Sequence, residues 1–201
     1  YHRHQVPGAD FPVWDQFRNA AGEPLYPQRP FLVGPLFTQN TAGSLLTGDV
    51  GEKVVLVASL WDREAMPWQA DWYRQRVAAH GGPDAVRLYY TEHAMHGDQP
   101  AVEDASRVVS YLGELQEALR VLAAWVEQGT VPPASTSYRI VDGQVLVPDN
   151  AADRLGLQPT VALTANGGER AEVRVGDVVR LEGTIAATRP GYRIVAAAWD
   201  F

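Results

Sequence analysis

The spacing of apolar residues changes along this chain and divides it into three parts. Residues 1 to 50 (with FPVWDQF, PLYPQRPF and VGPLFTQNTAGSLLTGDVG) hold neither a helical nor a strand period for long, which predicts an irregular segment lying over a domain surface. Residues 54 to 58, VVLVA, are apolar without alternation, as a strand covered on both faces of a parallel sheet should be. Pro67 suits the first turn of a helix, and Gly81-Gly82-Pro83 should end it, so a helix is predicted over 67 to 80. Residues 86 to 90, VRLYY, predict the next strand, and TEHAMHGDQP after it a loop. From Ala101 to Gln128 the positions Val108, Leu112, Leu115, Leu119, Leu122 and Val126 step by four, three, four, three and four, the stripe of a long amphipathic helix closed by Gly129. Residues 53 to 128 therefore spell strand, helix, strand, helix, the closing half of a doubly wound α/β domain.

Beyond this point the pattern changes. GTVPPASTS, residues 129 to 137, mixes Pro with small polar residues and predicts a linker. YRIVDGQVLVP, TVALTANGG, AEVRVGDVVRLEGTI and YRIVAAAWDF are short, β-branched and separated by Asp-Gly, Asn-Gly-Gly and Pro-Gly turns, which predicts antiparallel β structure. The expected organisation is an α/β domain over 1–130, a linker over 131–137 and a β-rich region over 138–201.

Composition narrows the function classes. An apolar fraction of 46% across 201 residues can build a core, and Lys+Arg 17 against Asp+Glu 24 gives a formal charge of −7 that does not favour nucleic acid. No run of about 18 apolar residues occurs, so no membrane span is expected. With no cysteine, neither a disulfide framework nor a thiolate zinc site can form. The chain opens Tyr-His-Arg-His without an initiator Met or signal peptide and stops at Trp-Asp-Phe inside a strand-like run, so a fragment cut at both ends is expected.

Parallel strands joined by a helical crossover open their C-terminal ends on one side, where α/β sheets place ligands. This topology would deliver Asp62, just past the first strand, and His96, in the loop after the second, to one edge. A His held by a carboxylate is a general base, so the pair suggests two members of a catalytic triad. Each residue also has an ordinary reading, Asp62 as a helix N-cap or turn residue and His96 as a surface histidine. His93 rivals His96 as the base, and Gly97 beside His96 leaves room for the imidazole to swing toward the sheet edge. His93, His96 and Asp98 could instead ligate a metal, the last-ranked reading.

Other residues carry less. His2 and His4 read as a solvated end, and His80 as a favourable charge near a helix C-terminus. Trp68 and Trp72 read as packing residues. Ser44 lacks the preceding strand and second glycine of a nucleophile elbow, and no Gly-x-Ser-x-Gly occurs in the chain.

The segment GEKVVLVASLWDREAMPWQADWYRQRV, continuing through VRLYYTEHAMHGD and the long helix, resembles the C-terminal part of the α/β-hydrolase superfamily, as in secreted esterase-like members. The fold class this implies is the C-terminal half of a doubly wound hydrolase-type parallel sheet. Asp62 would be the triad acid and His96 the triad base, acting on a small-molecule ester without a cofactor, with the nucleophile and oxyanion donors expected upstream of Tyr1. The tail PTVALTANGGERAEVRVGDVVRLEGTIAATRPGYRIVAAAWDF is similar to the first half of a PKD-like or immunoglobulin-like β-sandwich, a small, incomplete all-β unit whose relatives imply an extracellular setting. A sandwich so truncated is expected to be poorly stable or to self-associate. The alternative to an enzyme fragment is a non-catalytic extracellular binding or spacer protein.

Overall fold

The computed structural model describes residues 18–25, 46–98, 107–197 and 199. Ser44, His2 and His4 lie outside the described residues. Contacts divide the chain into two units, Tyr1–Leu45 and Leu46–Phe201. In the first, Arg18 and Pro24 form an antiparallel bridge around a turn in which Asn19 Oδ1 accepts the N–H groups of Ala21 and Glu23.

The second unit begins with strand β1, Val54–Ser59, followed by helix α1, Pro67–Gly81, and strand β2, Val86–Thr91. The two strands pair in parallel, from Val54 opposite Val86 to Ser59 opposite Thr91. Pro67 does open the helix, and Gly82, at φ 81°, ends it in a conformation that favours glycine. Val77 of α1 packs with Ala85 and Val86 to form the buried centre, flanked by Val54, Leu56 and Tyr73. Gly48 lies against α1 so closely that a Cβ there would stand 2.4 Å from the carbonyl carbon of Arg76. Trp68 and Trp72, expected to pack, are substantially exposed, and Trp72 carries the Arg76 guanidinium on its face.

Helix α2 spans Leu112–Gln128, starting later than the predicted residue 101; residues 99–106 are outside the described set and 107–111 are not helical. Gly129, at φ 68°, closes it by donating its N–H to Ala124 O, as its position predicted. Its buried face is not the predicted stripe. Ala118, Val121 and Trp125 face inward, while Leu119 and Val126 are 59% and 61% exposed. Trp125 takes cations on its ring from both Lys53 and Arg87.

The stretch predicted as a linker is docked along β2. Thr136 N–H donates to Leu88 O, Leu88 N–H to Ser135 Oγ, and Tyr90 N–H to Thr136 Oγ1 at 3.0 Å. Two hydroxyls and one amide thus replace the ladder bonds of a neighbouring strand. Tyr89 OH, its pKa pushed up to about 12 by burial, remains a donor and bonds to Pro133 O. Immediately beyond, Tyr138 packs edge-on to Tyr90, donates to Asp71 of α1 and accepts from Arg74.

The region after 138 is built of short pieces. Strands β3, Arg139–Val141, and β4, Gln144–Leu146, form an antiparallel hairpin whose Asp142 and Gly143 both have positive φ, the two-residue turn that Asp-Gly predicts. Helix α3, Ala151–Arg154, is capped by Asn150, which accepts Asp153 N–H. Strands β5, Thr160–Ala165, and β6, Leu181–Ala186, pair antiparallel, with Asn166-Gly167 turning the chain after β5. Residues 171–180 and 192–197, predicted as β-rich, contain no strand. Val173, Val175 and Val178 stay exposed there, since a two-stranded ribbon offers them no second sheet to pack against. Arg189 and Tyr192 return to α2, where both donate to Glu117. The described residues thus show mixed α/β content, with one parallel and two antiparallel two-stranded sheets.

Candidate functional site

The connection leaving β1 is tied to the one leaving β2. Leu60 N–H donates to Thr91 O and Trp61 N–H to Ala94 O, so the parallel pairing continues past both strands and holds their loops side by side. Asp62 follows at once. Its Oδ1 accepts the N–H groups of Glu64 at 2.7 Å and Ala65 at 2.8 Å, making a tight turn before α1. The helix N-cap itself is Met66, without a side-chain bond. Asp62 is therefore a turn residue through one oxygen, which leaves the other at a fixed position.

That second oxygen meets the histidine. Asp62 Oδ2 lies 2.9 Å from His96 Nδ1, across a separation of 34 residues. The Asp62 side chain is 10% exposed and that of His96 is 55% exposed, so the pair has a sheltered acid and an accessible imidazole. With Nδ1 donating to the carboxylate, the neutral ring carries its basic lone pair on Nε2. The interaction is too open to matter much for folding, contributing on the order of 1 kcal/mol or less. What it fixes is the orientation and tautomer of a side chain able to take up a proton.

His93 goes elsewhere. Its φ of 60° places it in the left-handed region and reverses the chain, and its ring stands edge-on to Trp61 at 4.5 Å between centroids. Its carbonyl accepts Val109 N–H. Asp98 is engaged at the far end of the loop, accepting Tyr111 N–H at 3.1 Å. Among the described residues no three His, Asp or Glu side chains gather as they would around a metal ion, so His93, His96 and Asp98 do not form the ligand set considered from sequence. Their loop is pinned at His93 by Val109 and at Asp98 by Tyr111.

A cavity of about 340 Å³ opens beside the pair. Asp62 and His96 line it together with the polar Ser59 and Gln69, and Met66, Ala70, Tyr111 and Leu115 contribute apolar surface. Its volume is in the range of small-molecule pockets, roughly 300 to 1,000 Å³. Tyr111 was not singled out by sequence. It sits at the start of α2, and the bonds from Val109 N–H to His93 O and from its own amide to Asp98 tie it to this loop. His80 lies in the last turn of α1. No helix among the described residues is long and apolar enough to cross a membrane.

No family model, no curated protein and no solved structure matches the chain.

Proposed function

We propose that Asp62 and His96 are the acid and base of a serine hydrolase acting on carboxylic esters of small molecules. The observation that carries this reading is the 2.9 Å bond between Asp62 Oδ2 and His96 Nδ1, made by a carboxylate whose other oxygen is locked by two backbone N–H groups. In the proposed reaction His96 Nε2 takes the proton of a serine hydroxyl as the oxygen attacks the ester carbonyl. Asp62 stabilises the imidazolium, and His96 returns the proton to the departing alkoxide. Water then repeats the sequence on the acyl-enzyme and releases the acid. The apolar surface of Met66, Ala70 and Leu115 beside the pair suits a hydrocarbon portion of the ester.

The reading requires a serine from polypeptide N-terminal to Tyr1, because the chain contains no Gly-x-Ser-x-Gly. It also assigns the α/β part to the hydrolase-type parallel sheet and the tail to a PKD-like or immunoglobulin-like module of an exported protein. A fluorophosphonate probe tests the central assignment. Labelling of a serine within a Gly-x-Ser-x-Gly of the complete protein, lost when His96 is replaced by Ala, is expected.

A second reading, a non-catalytic extracellular binding or spacer protein, is favoured by the unpaired apolar side chains of Val173, Val175 and Val178, which offer contact surface. A complete protein that takes up no probe would select it.

A further inference from the structure

The loop carrying His96 leaves β2 at Glu92, and the groups holding Glu92 come from far along the chain. Gln158 engages both of its backbone groups: Oε1 accepts Glu92 N–H at 2.7 Å, and Nε2 donates to Glu92 O at 3.0 Å. A neighbouring strand would satisfy the same two groups; here one side chain does so, directly after the last ladder pair of Ser59 and Thr91. The Glu92 carboxylate meets Arg154 Nη2 at 2.7 Å, and the Arg154 side chain is only 5% exposed. Arg154 Nε donates to Pro148 O, and Arg154 O accepts Ser137 N–H. A guanidinium so buried is costly without a counter-charge, so Glu92 and α3 fix each other's place.

The chain then needs four residues to reach His96. Ala94, fully buried, is held through its carbonyl by Trp61, and His93 by Val109. The middle of the loop is thus anchored to the Asp62 segment, and its root to residues 154 and 158.

We propose that Gln158 and Arg154 are positioning residues for His96, bracing the root of its loop so that Nδ1 stays directed at Asp62. The inference rests on the acid and base reading of that pair. Neither residue is catalytic, since they act on the loop through Glu92 and bond to neither Asp62 nor His96. The β-rich region is in this sense part of the site, and not an appended spacer.

The test uses Gln158→Met, which keeps side-chain volume and removes both bonds, and Gln158→Glu, which keeps the acceptor for Glu92 N–H. ¹⁵N-histidine NMR on neutral imidazole reads the tautomer of His96, and amide exchange reads the Trp61 and Val109 bonds to the loop. In the wild type the Nδ1–H form should predominate and should be lost in Asp62→Asn. Gln158→Met should reduce that form and speed exchange of both amides about tenfold, which is about 1.4 kcal/mol and within reach of two lost hydrogen bonds. Gln158→Glu should fall between. In the complete protein kcat should drop with KM unchanged in Gln158→Met. A wild type without the Nδ1–H form overturns the acid and base reading beneath the proposal. A wild type that has it, with Gln158→Met matching it in tautomer and exchange, overturns the brace alone. Should Gln158→Met fail to fold, Gln158→Glu with wild-type exchange likewise overturns the brace.

Discussion

Replacing Thr136 by Val tests whether the 131–137 stretch is part of the folded structure. Thr136 is 3% exposed, and its hydroxyl is the acceptor for the N–H of Tyr90, itself 2% exposed. Valine preserves the shape and exchanges the hydroxyl for a methyl, so the change isolates the bond. An unsatisfied buried N–H costs about 1–3 kcal/mol, and the added apolar group returns up to about 0.8 kcal/mol. The net expectation is a loss of about 1–2 kcal/mol. For a chain of this size that is a fall in Tm of roughly 3–6 °C. Thr136 N–H to Leu88 O is retained, so unfolding should remain cooperative. Urea denaturation followed by tryptophan fluorescence gives the free energy, and amide exchange at Tyr90 should accelerate in step. Thr136→Val with wild-type stability and unchanged protection of Tyr90 would refute the docking of this segment, and with it the route by which residues 154 and 158 reach Glu92.

Three further outcomes are expected. His93→Asn, which tolerates the left-handed φ of 60°, should lose the edge-on contact with Trp61, lowering stability by about 0.5–1.5 kcal/mol in a melt while leaving any ester hydrolysis by the complete protein within a few-fold. Gly48→Ala should destabilise by about 2 kcal/mol or more in chemical denaturation, since its Cβ would meet the Arg76 backbone at 2.4 Å and its φ of 88° disfavours any side chain. Burial tends to raise the pKa of Glu117, but hydrogen bonds from Tyr192, Arg189 and Arg120 outweigh it and hold the carboxyl below its ordinary 4.5. A group depressed in the folded state stabilises above its unfolded pKa and loses that contribution as pH falls through the folded value. Stability should therefore decline as pH falls below about 4.5, and a pH series on Glu117→Gln should show a shallower decline; equal slopes would remove this role.

The parts of this structure legible in sequence are those whose signal is local. VVLVA, Pro67, Gly129 and Asp142-Gly143 each restrict the backbone within a few residues, and the strands, helix ends and hairpin turn they predicted are present. The predicted stripe of α2 gave weight to leucine and valine, whereas the buried face uses Ala118 and Trp125, one too small and one too rarely used to register in such a pattern. Ser135 and Thr136 look like linker residues because nothing nearby reveals that their hydroxyls will complete the edge of β2. At the site, Asp62 and His96 could be suggested because parallel strands bring their loops together. Gln158, 66 residues from Glu92, could not, because only tertiary packing brings them into contact.

The most direct measurement is ester hydrolysis by the complete protein carrying Asp62→Asn or His96→Ala. A loss in kcat on the order of 10⁴ is expected for Asp62→Asn and on the order of 10⁶ for His96→Ala. Stability should change by no more than about 1 kcal/mol, because the pair is largely open to solvent on the histidine side. Near-normal hydrolysis by either variant would contradict the assignment of Asp62 and His96 as acid and base.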